Sequence, residues 1–417
     1  MRPEAVIRQA GLILTEIFYG KAGADRLIDG YFRKHRLGQS ERALVGDSVY
    51  SVLRHKRRLE AMFGDVTTES SATPAQLAAC AWALGEQWSP AQLTQLLGLT
   101  TSPQQENFTP ASQLDLPMRV SLPDWLWTEF IKQWGEVESE NLALALNAKP
   151  TVDLRVNLRM VSREQAQADL LRGGVPSEPT PYSVEGLRLT RRYALGELAS
   201  FKRGELEVQD EGSQLISQLL KPWPGNSIID LCAGGGGKSL HLAALMDDQG
   251  QVIASDIDSR RLNRLKARRQ RAKLRSIRLL PIKHEGDPKL RRWTEAADGV
   301  LVDAPCTGTG TLRRNPEIKW RLTPEQVFVY RQRQGALLDA GARLVKKGGR
   351  LVYATCSLLA QENREVVEDF QKQNRSFTLL NAGDEIEGLP HDGPFLTLLP
   401  HITKTDGFFA AVFRRKS

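Results

Sequence analysis

Ile228-Ile229-Asp230-Leu231 runs directly into Cys232-Ala233-Gly234-Gly235-Gly236-Gly237-Lys238-Ser239. The short apolar run reads as a strand, and Ser239 to Met246 reads as a helix. Four consecutive glycines between them let the backbone take positive φ and approach a ligand closely. In an open α/β sheet, ligands bind at the carboxyl ends of strands, which is where this loop falls.

The same alternation continues downstream. Val252-Ile253-Ala254 is a strand and 259–274 a helix. Gly299-Val300-Leu301-Val302 is a strand and 324–346 a helix. Arg350-Leu351-Val352-Tyr353 is a strand and 361–373 a helix. Gly407-Phe408-Phe409-Ala410-Ala411-Val412-Phe413 reads as a final strand. Such alternation predicts a parallel sheet with helices on both faces, a Rossmann-like α/β domain.

Upstream the texture differs. Ile7, Ala10, Leu14, Ile17 and Phe18 recur at helical spacing, as do Val45, Val49, Val52 and Leu53. Arg33-Lys34-His35-Arg36 reads as a basic loop between these helices. A third helix runs from Pro74 to about Gly85 and holds Cys80 as a small core residue. Residues 100–115 read as a polar linker, and a helix follows near 123–147. From Thr151 to about 208, strand-like pieces surround a helix at Arg163 to Leu171, which makes a small α+β segment.

The chain has 417 residues, a net charge of +8 and a pI near 9.3, which suits a polyanionic partner. No run approaches the roughly 18 apolar residues of a membrane helix. The start, Met1-Arg2-Pro3-Glu4, has no apolar leader. The four cysteines, Cys80, Cys232, Cys306 and Cys356, show neither a CxxC pair nor metal-ligand spacing. Reduced thiols, a cytoplasmic location, no membrane partner and no metal are therefore expected.

Three nucleotide readings compete for the glycine loop. A P-loop needs glycine where Cys232 stands, which argues against it. A dinucleotide site and an S-adenosylmethionine site both remain. Each would use Asp256, which closes the second strand, on the ribose hydroxyls. Asp258 is the alternative, or a helix cap. Asp287 is expected at the end of a third strand, where it could accept from an adenine amino group, though a turn aspartate is the plain alternative.

The residues after the next two strands carry the chemistry. Asp303-Ala304-Pro305-Cys306 follows one strand and Ala354-Thr355-Cys356-Ser357 the other. Two thiols and a carboxylate are thereby brought to the rim that holds the glycine loop. Carbon 5 of cytosine is a poor nucleophile. A thiolate added to C6 makes C5 enamine-like and reactive toward a sulfonium methyl group. A carboxyl group such as Asp303 can hold the base at N3 and N4, and a second cysteine can assist product release.

The ordered set resembles the NOL/NOP/Sun family of RNA cytosine-5 methyltransferases, nearest its bacterial Fmu/Sun, RsmB-like branch. The matching pieces are Val208-Gln209-Asp210-Glu211-Gly212-Ser213, Asp230-Leu231-Cys232-Ala233 through Gly236-Gly237-Lys238, Ser255-Asp256-Ile257-Asp258, Gly286-Asp287, Asp303-Ala304-Pro305-Cys306, Arg313-Arg314-Asn315-Pro316, and Tyr353-Ala354-Thr355-Cys356-Ser357 with Glu362-Asn363. The resemblance implies S-adenosylmethionine bound by residues 232–238 (Cys232, Ala233, Gly234, Gly235, Gly236, Gly237 and Lys238), Asp256, Asp287 and Asp303. It implies Cys356 as nucleophile and Cys306 as the cysteine that helps release product. It also implies three parts: a NusB-like helical RNA-binding domain over 1–140, an RRM-like segment over 145–205, and the Rossmann-like methyltransferase domain over 206–417.

Ribosomal RNA is the expected substrate of a monomeric enzyme. The same chemistry on tRNA, and a non-catalytic RNA-binding assembly factor, are the alternatives. Arg313 and Arg314 are candidates to grip the RNA backbone, and the ten basic residues in Arg260–Arg278 could track phosphates or form a solvated helix face. Gly234-Gly235 replaces the family's commoner Ala-Pro, which should loosen the loop.

Overall fold

The computed structural model describes residues 2–20, 22–61, 73–85, 116–386, 388–389 and 391–417. The expected linker at 100–115 lies outside them. The chain forms two compact units. One comprises Met1–Lys149 with Thr311–Leu322, and the other Pro150–Gly310 with Thr323–Ser417.

The first unit is helical. Helices Pro3–Tyr19, Gln39–Ala61 and Pro74–Gly85 meet along the apolar stripes read from the sequence, and Val6, Leu14, Val49, Leu53 and Cys80 are fully buried. Thr73 caps the third of these through a reciprocal pair: Gln76 N donates to Thr73 Oγ1 at 3.3 Å and Thr73 N donates to Gln76 Oε1 at 2.7 Å. Arg33 and Lys34 end the helix Ala24–Lys34, so the expected basic loop is in part a helix terminus, where cations suit the helix dipole. Among the described residues, no helix is long and apolar enough to cross a membrane.

In the second unit, β1 (Val152–Val156), β2 (Ser177–Pro179), β3 (Gly186–Leu189) and β4 (Leu206–Val208) form an antiparallel sheet in the order β2-β3-β1-β4. The helix Arg163–Arg172 packs on it, capped by Ser162, whose side chain accepts from Gln165 N at 3.2 Å.

The large sheet contains β5 (Ser227–Asp230), β6 (Gln251–Asp256), β7 (Ile277–Pro281), β8 (Ala297–Asp303), β9 (Val345–Thr355), β10 (Phe377–Leu380), β11 (His391–Asp392), β12 (Phe395–Leu398) and β13 (Phe408–Arg415). Its order is β11-β12-β13-β9-β8-β5-β6-β7, with β10 on β13. From β9 to β7 every pairing is parallel. The chain runs outward from β5 through β6 and β7, then crosses back to β8 on its other side. The reversal opens a crevice at the carboxyl ends of β5 and β8, the switch point at which such sheets bind ligands. Alternate residues feed the two cores: Ile228, Leu301 and Val352 enter one, Ile229, Val300 and Tyr353 the other.

Two expectations need correction. The sheet is mixed: β13 lies antiparallel to β9, with Phe409 opposite Thr355, and β10 to β12 continue that antiparallel edge. No helix separates β12 from β13 beyond the single turn Pro400–Thr403, too short a connection for a parallel crossover. Asp287 does not end a strand: β7 stops at Pro281, and Asp287 caps the short 3-10 turn that follows.

Candidate active site

The loop after β5 is shaped by close approaches. Gly236 has φ +82°, and a Cβ there would sit 2.3 Å from Leu265 Cδ1, so only glycine fits. Gly234 has φ +55° and its N–H donates to Asp256 Oδ2 at 2.7 Å. Arg268 Nη1 donates to the Gly235 carbonyl at 2.5 Å, and Arg155 Nη1, from β1, donates to the Gly237 carbonyl at 3.0 Å. These side chains brace the backbone that a proline would have stiffened.

Lys238 opens the helix Gly237–Leu245 and reaches across the switch point to Asp303, with Nζ 2.8 Å from Oδ2. Burial opposes its charge, but Asp303 outweighs burial, Cys356 and Asp230 add to it, and the net shift of the ammonium is upward. Its Nζ also lies 5.5 Å from the Phe408 ring centroid.

Asp303 ends β8 and Cys356 follows β9. The Ala304 N–H donates to the Ala354 carbonyl at 2.8 Å, which ties the two strand ends together. Cys306 Sγ and Cys356 Sγ are 3.4 Å apart, both half-buried. The hydrogen bond to Cys356, then burial, then the charges of Cys356 and Glu362 push the Cys306 thiol well up. Burial, then Asp230, Asp303 and Asp256, likewise raise Cys232, which lines the loop as a neutral thiol.

Asp256 is buried and occupied on both oxygens, by Gly234 N and by Asp258 N at 2.7 Å. Asp258 caps the helix Ser259–Arg271, accepting from Arg260 N at 2.9 Å. The Asp287 carboxylate holds the backbone N–H groups of Lys283 and Lys289, at 2.8 and 2.9 Å, which depresses its pKa.

The remaining candidates fall elsewhere. Arg313 and Arg314 belong to the helical unit; Arg313 is buried, and its carbonyl accepts from Arg54 Nη2 at 3.2 Å. That burial removes Arg313 from an open phosphate-gripping surface. The basic run divides in two. Arg268 and Arg271 pair with Glu207 at 3.2 and 2.6 Å, and Arg269 donates to the Ile277 carbonyl, whereas Arg260, Arg261, Arg264 and Lys266 are exposed.

Sequence reading missed two carboxylates. Asp230, at the end of β5, is buried; Ser239 Oγ donates to one of its oxygens at 2.6 Å and the other is unpartnered. Glu362 is fully buried between the two cysteine loops. Both lie inside quoted motifs, but nothing in their spacing distinguishes a buried acceptor from a solvated one.

Comparison with known proteins fixes the class. Residues 217–414 match the family model described as 16S rRNA methyltransferase RsmB/F, and residues 122–195 match the RsmF/B-like ferredoxin-like domain. The molecule is an S-adenosylmethionine-dependent methyltransferase with a Rossmann-like catalytic domain. A protein of Synechocystis sp. named probable ribosomal RNA small subunit methyltransferase B is 33% identical, over 97% of this chain and 98% of its own. The ribosomal RNA small subunit methyltransferase B of Photorhabdus laumondii is 35% identical over 69% of this chain and 65% of its own. Among solved structures, PH0851 superposes with a TM-score of 0.80 at 25% identity, covering 100% of this chain and 99% of that one. A methyltransferase homologue from Pyrococcus horikoshii gives 0.64 at 28% identity, covering 74% of this chain and 100% of that one. This chain belongs to the NOL/NOP/Sun family of RNA methyltransferases.

The residues fit the cofactor. S-adenosylmethionine carries a sulfonium and an α-ammonium charge. Around the loop, the three carboxylates of Asp230, Asp256 and Asp303 face two cations, the Lys238 ammonium and, 4.0 Å from Asp256, the Arg261 guanidinium, and Asp230 keeps a buried oxygen without a partner. A cation is the ligand that such a surplus of negative charge accepts.

Proposed function

We propose that this chain methylates carbon 5 of a cytosine in small-subunit ribosomal RNA, with Cys356 as nucleophile. The observation that carries the reading is the 3.4 Å pair of thiols beside the Lys238–Asp303 ion pair, on the rim that holds the glycine loop. The names of the relatives and of the matched family support the choice of RNA.

The two thiols are not equivalent. Cys356 is coupled to the Lys238 ammonium, so negative charge on its Sγ is met by a cation. Cys306 faces the Glu362 carboxylate and stays protonated. Cys356 Sγ therefore adds to C6 of the base, forming an S–C bond and moving the C5–C6 electron pair to C5. Asp303, held in place by Lys238, accepts from the N4 amino group, and from N3–H once N3 takes up a proton as the thiolate adds, which fixes the plane of the base. Cys232–Lys238, Asp256 and Asp287 would hold the cofactor, which would supply an electrophilic methyl group. Loss of the C5 proton to solvent restores the C5–C6 double bond and expels Cys356 Sγ, and the Cys306 thiol, 3.4 Å away, can donate to the departing thiolate.

Bisulfite sequencing of ribosomal RNA with and without the gene tests the reaction and the target together. One cytosine is expected to lose protection in the knockout. With purified protein, Cys356→Ala is expected to abolish transfer, and Cys306→Ala to accumulate a covalent RNA–protein band. A Cys356→Ala protein that methylates RNA at the wild-type rate overturns the mechanism.

A further inference from the structure

Adjacent parallel strands deliver the two cysteine loops to the same rim, but strand spacing alone does not decide how far apart two side chains lie beyond the strand ends. That distance depends on what ties the loops together. Thr307 follows Cys306, and Ser357 follows Cys356. Thr307 donates twice to Glu362, from N to Oε1 at 2.9 Å and from Oγ1 to Oε2 at 2.5 Å. Ser357 Oγ donates to the same Oε2. Gln334 Nε2, from the helix Pro324–Leu344, donates to Glu362 Oε1 at 2.9 Å and to the Pro305 carbonyl at 3.0 Å.

Glu362 is itself fixed. Tyr353 Oη donates to its carbonyl at 2.5 Å. Its neighbour Asn363 accepts from Thr355 Oγ1 at 2.6 Å and donates to the Ser357 carbonyl at 2.9 Å. The donors onto the carboxylate are all neutral and the residue is fully buried. Burying a carboxylate without a cation is costly, and removing any one donor would leave it undersatisfied. Two oxygens that only accept are what four converging donors require.

We propose that Glu362 is a positioning residue for methyl transfer: by gripping Thr307 and Ser357 at once, its carboxylate sets the separation of Cys306 and Cys356. The assignment rests on the cysteine roles argued above. The charge of Glu362 also contributes to keeping Cys306 protonated, which gives the grip an electrostatic as well as a steric consequence.

The test uses the full chain with Glu362→Ala and Glu362→Gln. The first readout is the rate at which diamide, itself reduced to the hydrazine, takes two electrons and two protons from the thiols to form the Cys306–Cys356 disulfide, followed by peptide mass mapping. The second is kcat and KM for RNA, and the third is S-adenosylmethionine affinity. Glu362→Ala is expected to slow the disulfide about tenfold and kcat about a hundredfold, with KM and cofactor affinity within about twofold. Glu362→Gln keeps one acceptor, and the Thr307 and Ser357 hydroxyls can turn to accept from its amide. It is expected to restore most of the disulfide rate and part of kcat.

If Glu362→Ala does not fold, Thr307→Val combined with Ser357→Ala removes the two hydroxyl grips, leaving only the Thr307 N–H bond, and is read in the same way. A folded variant with native cofactor affinity and a wild-type disulfide rate overturns the proposal. The disulfide rate does not depend on catalysis, so an active Cys356→Ala protein would overturn the mechanism while leaving the spacing result to stand or fall by itself.

Discussion

Asp230 shows how one buried side chain ties cofactor binding to pH. Burial lifts its pKa to about 7; the Ser239 hydrogen bond opposes that, Asp303 adds to it, Lys238 opposes it and Asp256 adds again. A raised carboxylate stabilises the unliganded fold while protonated, and that contribution is lost as pH climbs from the ordinary carboxylate range through about 7. A cationic ligand has the opposite preference, because it favours the ionised carboxylate. Cofactor affinity should therefore rise with pH, by up to about tenfold per unit below the Asp230 pKa, and level off above it. Calorimetric titration across that range checks this, with Asp230→Asn expected to flatten the profile. A wild-type profile that is already flat would mean that Asp230 does not sense the ligand's charge.

At the scale of elements, the glycine loop is a strand-to-helix turn held by partners from outside it. Arg155 projects from β1 of the small sheet and is buried, and burial lowers its pKa to about 10. Its Nη1 donates to both the Gly237 carbonyl and Gln209 Oε1, from a position one bond further along the side chain than a lysine ammonium reaches. Arg155→Lys is expected to keep the fold and weaken cofactor binding about tenfold, the scale of one lost buried hydrogen bond to a charged donor. Equilibrium binding alongside far-UV circular dichroism measures it. The alternation of strands and helices around this loop was legible in the sequence, because periods of 2 and 3.6 residues are local properties. The antiparallel edge of β10 to β13 was not. A buried strand has the same composition in either direction, and only the connection length separates them.

At the scale of the whole molecule, the chain leaves the catalytic unit after Gly310, passes through the helical unit as Thr311–Leu322 and returns at Thr323. Lys319 anchors that passage. It is 1% exposed, and its Nζ donates to the carbonyls of Arg54 and Ser121 and to Asn147 Oδ1, at 2.7, 2.8 and 2.7 Å. Burial, then Arg54, pushes its pKa well down, while three acceptors hold the proton in place. Trp320 Nε1 adds a bond to the Leu53 carbonyl at 2.6 Å, and Ala24 N donates to Glu317 Oε1 at 2.9 Å. Lys319→Met would strand those three acceptors, at a cost of about 3 kcal/mol or more. Differential scanning calorimetry should show a lower transition for the helical unit; an unchanged transition would mean that the buried amine contributes nothing. Read from its position in the chain, this segment belongs to the catalytic domain, since Arg313-Arg314-Asn315-Pro316 follows the Cys306 loop so closely.

The sequence by itself determined the local grammar: a strand into Cys232–Lys238, an acid at the end of β6, and two thiols just past the ends of β8 and β9. Each of these is written in neighbouring residues, through periodicity, glycine and turn chemistry. Only the tertiary structure decided the 3.4 Å thiol pair, the Glu362 grip on Thr307, 55 positions away, the burial of Arg313 and the loan of Thr311–Leu322 to the helical unit. Those features depend on which distant groups satisfy one another's hydrogen bonds and charges after burial. No pattern of spacing along the chain records that choice.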